Sequence, residues 1–172
     1  KINKNVGIIR KISKSVPQSV LLSLYHTLIH PYLAYCNIVW AIDRTTFLDK
    51  LFVSQKKAIR LIANSKFNSH SAPLFLKLSI LTVYQLNDLQ VGCFVYRCTR
   101  NTLPNKFCSM FNMNSSIHSH QTRQCTKLHH EHCRLHVRSK TIRNYGVLLW
   151  NSLTDDILRC EFTCSLASYK CK

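Results

Sequence analysis

The spacing of apolar residues predicts a helix from about residue 48 to 62, and we expect the rest of the chain to pack on this helix and on its successor. Apolar positions recur there at steps of three and four residues, which places them on one helical face: Leu48, Leu51, Phe52, Ala58, Ile59 and Ile62. Thr46 and Asp49 have the spacing of a capping box at the start of this helix. Another face carries three cations within about one turn: Lys56, Lys57 and Arg60.

Similar patterns predict helices before this one. Residues 1–14 form a short basic helix candidate, and Pro17 suits the first turn of the next helix. Pro31 is expected to kink or restart that helix, because proline removes a backbone donor and crowds the preceding turn. Residues 32–41 are apolar almost all round, so we predict a buried helix there.

The central part of the chain continues the helical pattern. A Ser/Asn/His loop at 64–71 leads into an apolar stretch at 73–81. Thr82 and Gln85 then have the spacing of a second capping box. Residues 83–98 follow as a long, mostly apolar helix, which we expect to be the central one.

The last third of the chain is less regular. Residues 117–143 are polar and poorly periodic, so short strands or extended loops are expected there, and regularity returns at 141–158. The predicted fold class is therefore mainly α. A helical, thumb-like bundle is expected over residues 1–113. A smaller basic, His- and Cys-containing region with short strands or irregular structure and C-terminal helices is expected to pack on it over residues 114–172.

Composition adds a partner class to this fold. Apolar residues make up 46% of the chain, enough for a core, and only three glycines occur, which favours long helices. Lys and Arg total 24 against 7 Asp and Glu, a formal net charge of +17, which predicts a polyanionic partner, most often nucleic acid. The alternative is a basic protein whose cations only solvate its surface.

Other bulk features limit the location of the protein. No apolar run approaches the roughly 18 to 20 residues of a membrane span, and the polar start lacks the apolar core of a signal peptide. We therefore expect a protein of the nucleus or cytoplasm that is neither secreted nor bound to a membrane. The nine cysteines are expected to be reduced and to fill space in the core.

Two clusters of cations are the candidate phosphate contacts, because Lys and Arg bind phosphate without recognising sequence. The first cluster contains Lys56, Lys57, Arg60 and Lys66. The second contains Arg123, Lys127, Arg134, Arg138, Lys140 and Arg143, with interleaved histidines and one acid, Glu131. For each cluster, a solvated basic face remains the alternative.

Metal binding and catalysis have weaker signals. Four residues could supply zinc ligands, but their spacing fits neither a zinc knuckle nor a zinc finger: Cys125, His129, His132 and Cys133. We therefore assign no metal site. Asp155 and Asp156 are interpreted as a helix N-terminal pair, where acids interact favourably with the helix dipole.

Several stretches, taken in order, resemble the region downstream of the polymerase core in reverse transcriptases of non-LTR (LINE-type, jockey-like) retrotransposons. They cover nearly the whole chain and occur in family order: KINKNVGIIRKISKSVP, LLSLYHTLIHPYLAYCNIVWA, LFVSQKKAIRLIANS, HSAPLFLKLSIL, TRNTLP, IHSHQTR and RNYGVLLWNSL. Each short motif is weak alone, and their shared order makes the resemblance specific.

The resemblance implies that the chain is a C-terminal, thumb-like piece of an RNA-directed DNA polymerase that binds RNA and DNA. The fingers and palm would lie before it in the same polypeptide, and Mg²⁺ is expected only in that palm. The family's catalytic box is aromatic-x-Asp-Asp, whereas Leu153 takes the aromatic position before Asp155 and Asp156. The chain is therefore expected to need no cofactor and to be inactive alone. The alternative is a decayed or domesticated element remnant that acts as a helical protein-interaction module.

Overall fold

The computed structural model describes residues 1–41, 46–117, 120 and 123–153. Within these residues the chain is mainly helical, as predicted, and the β-structure is one antiparallel bridge between Met113 and Leu128. Packing divides the chain into two compact units, Lys1–Asn87 and Asp88–Lys172. The predicted boundary after residue 113 falls within the second unit, and the predicted division into domains stays a prediction.

Unit 1 is built around the helix that the apolar pattern predicted. Its helices are α1 (Ile2–Ile12), α2 (Gln18–Leu28), α3 (His30–Ala34), α4 (Asn37–Trp40), α5 (Thr46–Ile62), α6 (Ala72–Lys77) and the first part of α7 (Val83–Thr99). Helix α5 packs against α1, α2 and α6. The expected packing on α5 is therefore observed for these three helices, and for the rest of the chain it stays a prediction.

The predicted apolar face of α5 is the buried one. Leu48, Ala58, Ile59 and Ile62 are each at most 2% exposed, and Leu51 and Phe52 are half-buried at the edge of the same cluster. The predicted capping box at the start of α5 needs the Thr46 side chain, which lies outside the described residues.

The prediction of one buried helix over residues 32–41 is wrong. Pro31 does restart the chain in α3, but the next break comes at Cys36, whose φ of 50° is left-handed, and Tyr35 and Val39 are 78% and 81% exposed. A stretch that is apolar all round gives no face a preference for the core. Three side chains of the stretch are fully buried, Leu33, Ala41 and the polar Asn37.

Asn37 faces inward because hydrogen bonds hold it there. Its Nδ2 donates to the Leu33 carbonyl at 2.8 Å, and its Oδ1 accepts from Asn87 Nδ2 at 2.6 Å. Buried amides are stable only when such bonds replace those to water. This polar pair therefore fixes the turn between α3 and α4.

A second buried amide, Gln55 on α5, joins three segments of unit 1. Its Nε2 donates to the Tyr25 hydroxyl at 2.9 Å and to the Leu81 carbonyl at 2.8 Å. Its Oε1 accepts the Val83 backbone N–H at 3.0 Å. Gln55 is 1% exposed, so these bonds replace water entirely.

The capping box predicted at the start of α7 is confirmed. The Thr82 N–H donates to Gln85 Oε1 at 3.0 Å, and the Gln85 N–H donates back to Thr82 Oγ1 at 3.3 Å. The reciprocal bonds satisfy backbone donors that a helix start leaves free. Helix α7 then runs to Thr99, one residue beyond its predicted end.

Three helices end in the same hydrogen-bonded motif without a glycine. Asn64, Ser79 and Asn101 follow α5, α6 and α7 with φ of 49°, 53° and 54°. After each, the next N–H donates to the carbonyl five residues earlier at 3.0 Å, the six-to-one bond of a Schellman motif. Glycine usually takes this left-handed position, because a Cβ is strained there.

Unit 2 contains the rest of α7. Its other helices are α8 (Asn105–Cys108), α9 (Asn114–Ile117), α10 (His136–Ser139) and α11 (Ile142–Ser152). Gly146 lets α11 approach α7 closely, because a Cβ there would stand 3.0 Å from Val95 Cγ2 and 3.4 Å from Phe111 Cε1. Val91, Val95, Phe111, Leu128 and Val147 are buried in this unit.

The irregular segment expected within 117–143 is observed in its described part. The side-chain amide of Asn151 holds part of this segment. Its Oδ1 accepts the Leu128 N–H at 3.1 Å, and its Nδ2 donates to the Leu128 carbonyl at 2.9 Å. The regular element predicted from residue 141 is α11. Asp155 and Asp156 lie outside the described residues.

We predict that Ser79→Gly stabilises the protein by about 0.5 to 1 kcal/mol. Glycine relieves the strain of the left-handed position, and the gain exceeds the extra chain entropy that glycine loses on folding. Urea unfolding followed by far-ultraviolet circular dichroism measures it. Ser23→Gly, at an exposed position inside α2, is the control and should destabilise by about 0.5 kcal/mol. If both changes shift the free energy of unfolding equally, the left-handed strain at Ser79 is contradicted.

We also predict that Tyr25 makes stability depend on pH in the alkaline range. Burial raises the pKa of Tyr25 from 10.0 to about 12, against a smaller lowering by the bond from Gln55. The folded state therefore keeps a proton that the unfolded state loses, and this contribution to stability is full below pH 10 and lost as the pH rises towards 12. The free energies of unfolding of the parent and of Tyr25→Phe, measured at a series of pH values, should therefore converge between pH 10 and about 12. A constant difference would contradict the prediction.

Candidate nucleic-acid interface

The three cations predicted on α5 differ in how they are used. Lys57 is exposed, whereas Lys56 is half-buried with its Nζ 4.0 Å from the centroid of the Phe52 ring. Arg60 is also half-buried, and its Nε donates to the Ser69 carbonyl at 2.9 Å. Two of the three therefore also support the local structure, and Lys57 is the cation most open to a ligand.

Lys50 lies on the same face of α5 as Lys57, although it was not among the predicted phosphate contacts. It is exposed and precedes Lys57 by seven residues on α5. Two helical turns separate the two lysines, about 10 Å along the axis, and they point in nearly the same direction. The seven-residue spacing was visible in the sequence and would have identified Lys50.

Lys66 lies in the loop that follows α5. It is exposed and begins a tight turn, in which its carbonyl accepts the Ser69 N–H at 3.0 Å. Because Arg60 also donates to Ser69, this turn is fastened to the last turn of α5. Lys66 therefore lies in a turn that is hydrogen-bonded to the last turn of α5, and its grouping with the α5 cations at one site stays a prediction.

Charge along this part of the chain has one sign. Between Asp49 and Asp88 there is no acidic residue, and six cations occur: Lys50, Lys56, Lys57, Arg60, Lys66 and Lys77. The carboxylate that precedes this stretch, Asp49, accepts a hydrogen bond from the Tyr84 hydroxyl. Such a surface attracts phosphate and repels cations.

The second predicted cluster contains its own counter-charge. Glu131 accepts from Arg138 Nη2 at 3.0 Å and from Arg143 Nη2 at 2.5 Å, and the three side chains are 31%, 59% and 41% exposed. Arg123, Lys127 and Arg134 are exposed, and Lys140 is half-buried. The structure thus gathers two of the six predicted cations around one carboxylate.

The possible zinc ligands do not form a centre in the part of the chain that is described. No group of three or more His, Cys, Asp or Glu side chains comes together there. His129 Nδ1 lies 3.1 Å from Asn114 Oδ1, and Cys133 Sγ accepts from Asn144 Nδ2 at 2.7 Å. These contacts give His129 and Cys133 structural partners.

The described helices are also too short or too polar to span a membrane. Among the described helices, none combines the length and the apolar character that crossing a bilayer requires.

The chain was compared with protein-family models, curated proteins and solved structures, and nothing matched. The resemblance to non-LTR reverse transcriptases therefore rests on the ordered sequence stretches alone.

We predict that Glu131→Gln strengthens binding to a DNA duplex, because it frees two arginines to contact phosphate. Fluorescence anisotropy at fixed salt measures the affinity, and the slope of log affinity against log salt should steepen by up to roughly 1.8, or 0.9 per added contact. The control is Asp88→Asn, which removes one charge in the same unit while keeping a group that can accept from the Tyr145 hydroxyl. An equal gain from both changes would show a general charge effect and not the release of these arginines.

Proposed function

We propose that this chain is the non-catalytic C-terminal part of a non-LTR retrotransposon reverse transcriptase, an RNA-directed DNA polymerase, and that it binds RNA and DNA through backbone phosphates. The ordered sequence stretches support the polymerase origin, and the binding role is supported most by the exposed lysine pair on α5, Lys50 and Lys57, within a stretch that has no acid up to Asp88. The partners would be nucleic acid and the fingers and palm of the same polypeptide.

The spacing of the two lysines suits a phosphate backbone. They stand about 10 Å apart along α5 and point in nearly the same direction. Because each ammonium group is carried on a flexible four-carbon stem, both can reach phosphates of one strand. Arg60 and Lys66 continue the positive charge beyond Lys57.

The described acids are used to hold the structure together. Two-metal catalysis needs several carboxylates that converge on the ions. Asp49 and Asp88 instead accept hydrogen bonds from Tyr84 and Tyr145, and Glu131 holds two arginines. Each of these carboxylates has a structural partner within its own unit.

A protein-interaction module is the second candidate function. Unit 1 exposes apolar side chains that a partner protein could cover: Tyr35, Val39 and Leu76 are 78%, 81% and 81% exposed. A partner protein held this way would bind with little dependence on salt. Nucleic acid held by lysines would bind with strong dependence on salt.

The test is a salt titration with a fluorescent DNA duplex. Lys50→Gln/Lys57→Gln should weaken binding to any sequence about equally and make the log-log slope shallower by roughly 1 to 2 units, since each phosphate contact contributes about 0.9. Gln keeps the helix propensity close to that of Lys.

The matched control is Arg97→Gln/Lys106→Gln, which removes two exposed cations outside both clusters. It should leave the slope close to that of the parent. If the α5 variant remains folded and keeps the parent's affinity and slope, this face is only solvated, and the proposal is wrong for α5.

A further inference from the structure

The loop after α5 holds an aromatic side chain in water. Residues 66–69 form a tight turn closed by the Ser69 N–H and the Lys66 carbonyl at 3.0 Å, and Phe67 lies at its second position. The Phe67 side chain is 72% exposed. Burial of an aromatic ring is normally among the strongest contributions to a core, and a ring left in water keeps that contribution available for a ligand.

The turn is fixed to the helices on both sides. At its start, the Schellman motif at Asn64 closes α5, with Ser65 N–H donating to the Arg60 carbonyl. At the last residue of the turn, the Ser69 carbonyl accepts from Arg60 Nε on α5. At its end, the Ser71 carbonyl accepts from Leu74 and begins α6. A ring on such an anchored turn loses little conformational freedom when it binds a ligand.

The surroundings of Phe67 are cationic. Lys66 precedes Phe67 in the chain, and Arg60 is hydrogen-bonded to Ser69, two residues after Phe67. Lys57 lies one helical turn before Arg60 on α5. A cationic track that ends in an exposed aromatic ring is how proteins hold single-stranded nucleic acid: the cations follow the phosphates, and the ring stacks on a base. A duplex offers no base face along its length, so the ring points to an unpaired base.

We propose that Phe67 is a stacking platform for an unpaired base of a nucleic acid whose phosphates lie along Lys50, Lys57 and Lys66. This inference rests on the proposed function and adds the ligand class, a single-stranded segment or a duplex with a single-stranded end. Phe67 would contribute contact with a base, and the lysines would contribute contacts with phosphates. Separate substitutions of Phe67 and of the lysines therefore test the two contributions independently.

The experiment uses the full chain and two fluorescent oligonucleotides of about fifteen units with equal charge, one of thymidine nucleotides and one of abasic nucleotides. Phe67→Ala should weaken binding of the thymidine oligonucleotide by roughly 5- to 150-fold, the range for loss of one stacked base. It should leave the abasic oligonucleotide unchanged. Phe67→Trp should retain the parent's preference for bases.

Leu76→Ala is the matched control, because it removes an equally exposed apolar side chain from the same unit. It should change neither affinity. Phe67→Leu keeps an apolar side chain but no ring, and should behave as Phe67→Ala. If Phe67→Leu binds thymidine as the parent does, the contact is only apolar, and the stacking proposal is wrong.

Two further results separate this inference from the proposed function. If Lys50→Gln/Lys57→Gln weakens both oligonucleotides while Phe67→Ala changes neither, phosphate binding stands and the stacking platform falls. If the parent binds neither oligonucleotide nor duplex, both fall. If anionic phospholipid vesicles bind the parent, Phe67→Ala abolishes that binding and neither oligonucleotide responds to the same change, the ring inserts into lipid and the inference is overturned.

Discussion

The buried amide of Gln55 is the constraint on which the packing of unit 1 depends. One side chain satisfies the Tyr25 hydroxyl, the Leu81 carbonyl and the Val83 N–H, and all of these groups lie in or beside the core. An apolar residue at position 55 would leave all three without this partner, at a cost of about 1 to 3 kcal/mol for each group that finds no other. The amide therefore sets the position of α2 and of the start of α7 on α5.

Local signals made much of the fold predictable. The apolar face of α5 follows from a repeat of three and four residues, and the cap at Thr82 and Gln85 follows from a spacing of three. Gln55 was not predictable in the same way. It occupies a buried position next to Lys56, and its partners stand between 26 and 30 residues away.

The misassigned stretch 32–41 shows the same limit. Its break depends on Asn37 bonding to Asn87, 50 residues later, and no local pattern encodes that contact. In the candidate interface, composition located the cations but not their partners. Glu131 was visible as a single acid among bases, yet its two ion pairs depend on where α10 and α11 place Arg138 and Arg143.

The chain uses several of its cations to hold its own structure, and this lowers the valence that it presents to a partner. Arg60 fastens a loop, Lys56 lies over a ring, and Arg138 and Arg143 share a carboxylate. A partner must share or displace these contacts before it gains from such cations. The 24 cations in the sequence are therefore an upper limit to the number of counterions that binding to a polyanion can release, and the number released is smaller than the sequence alone suggests.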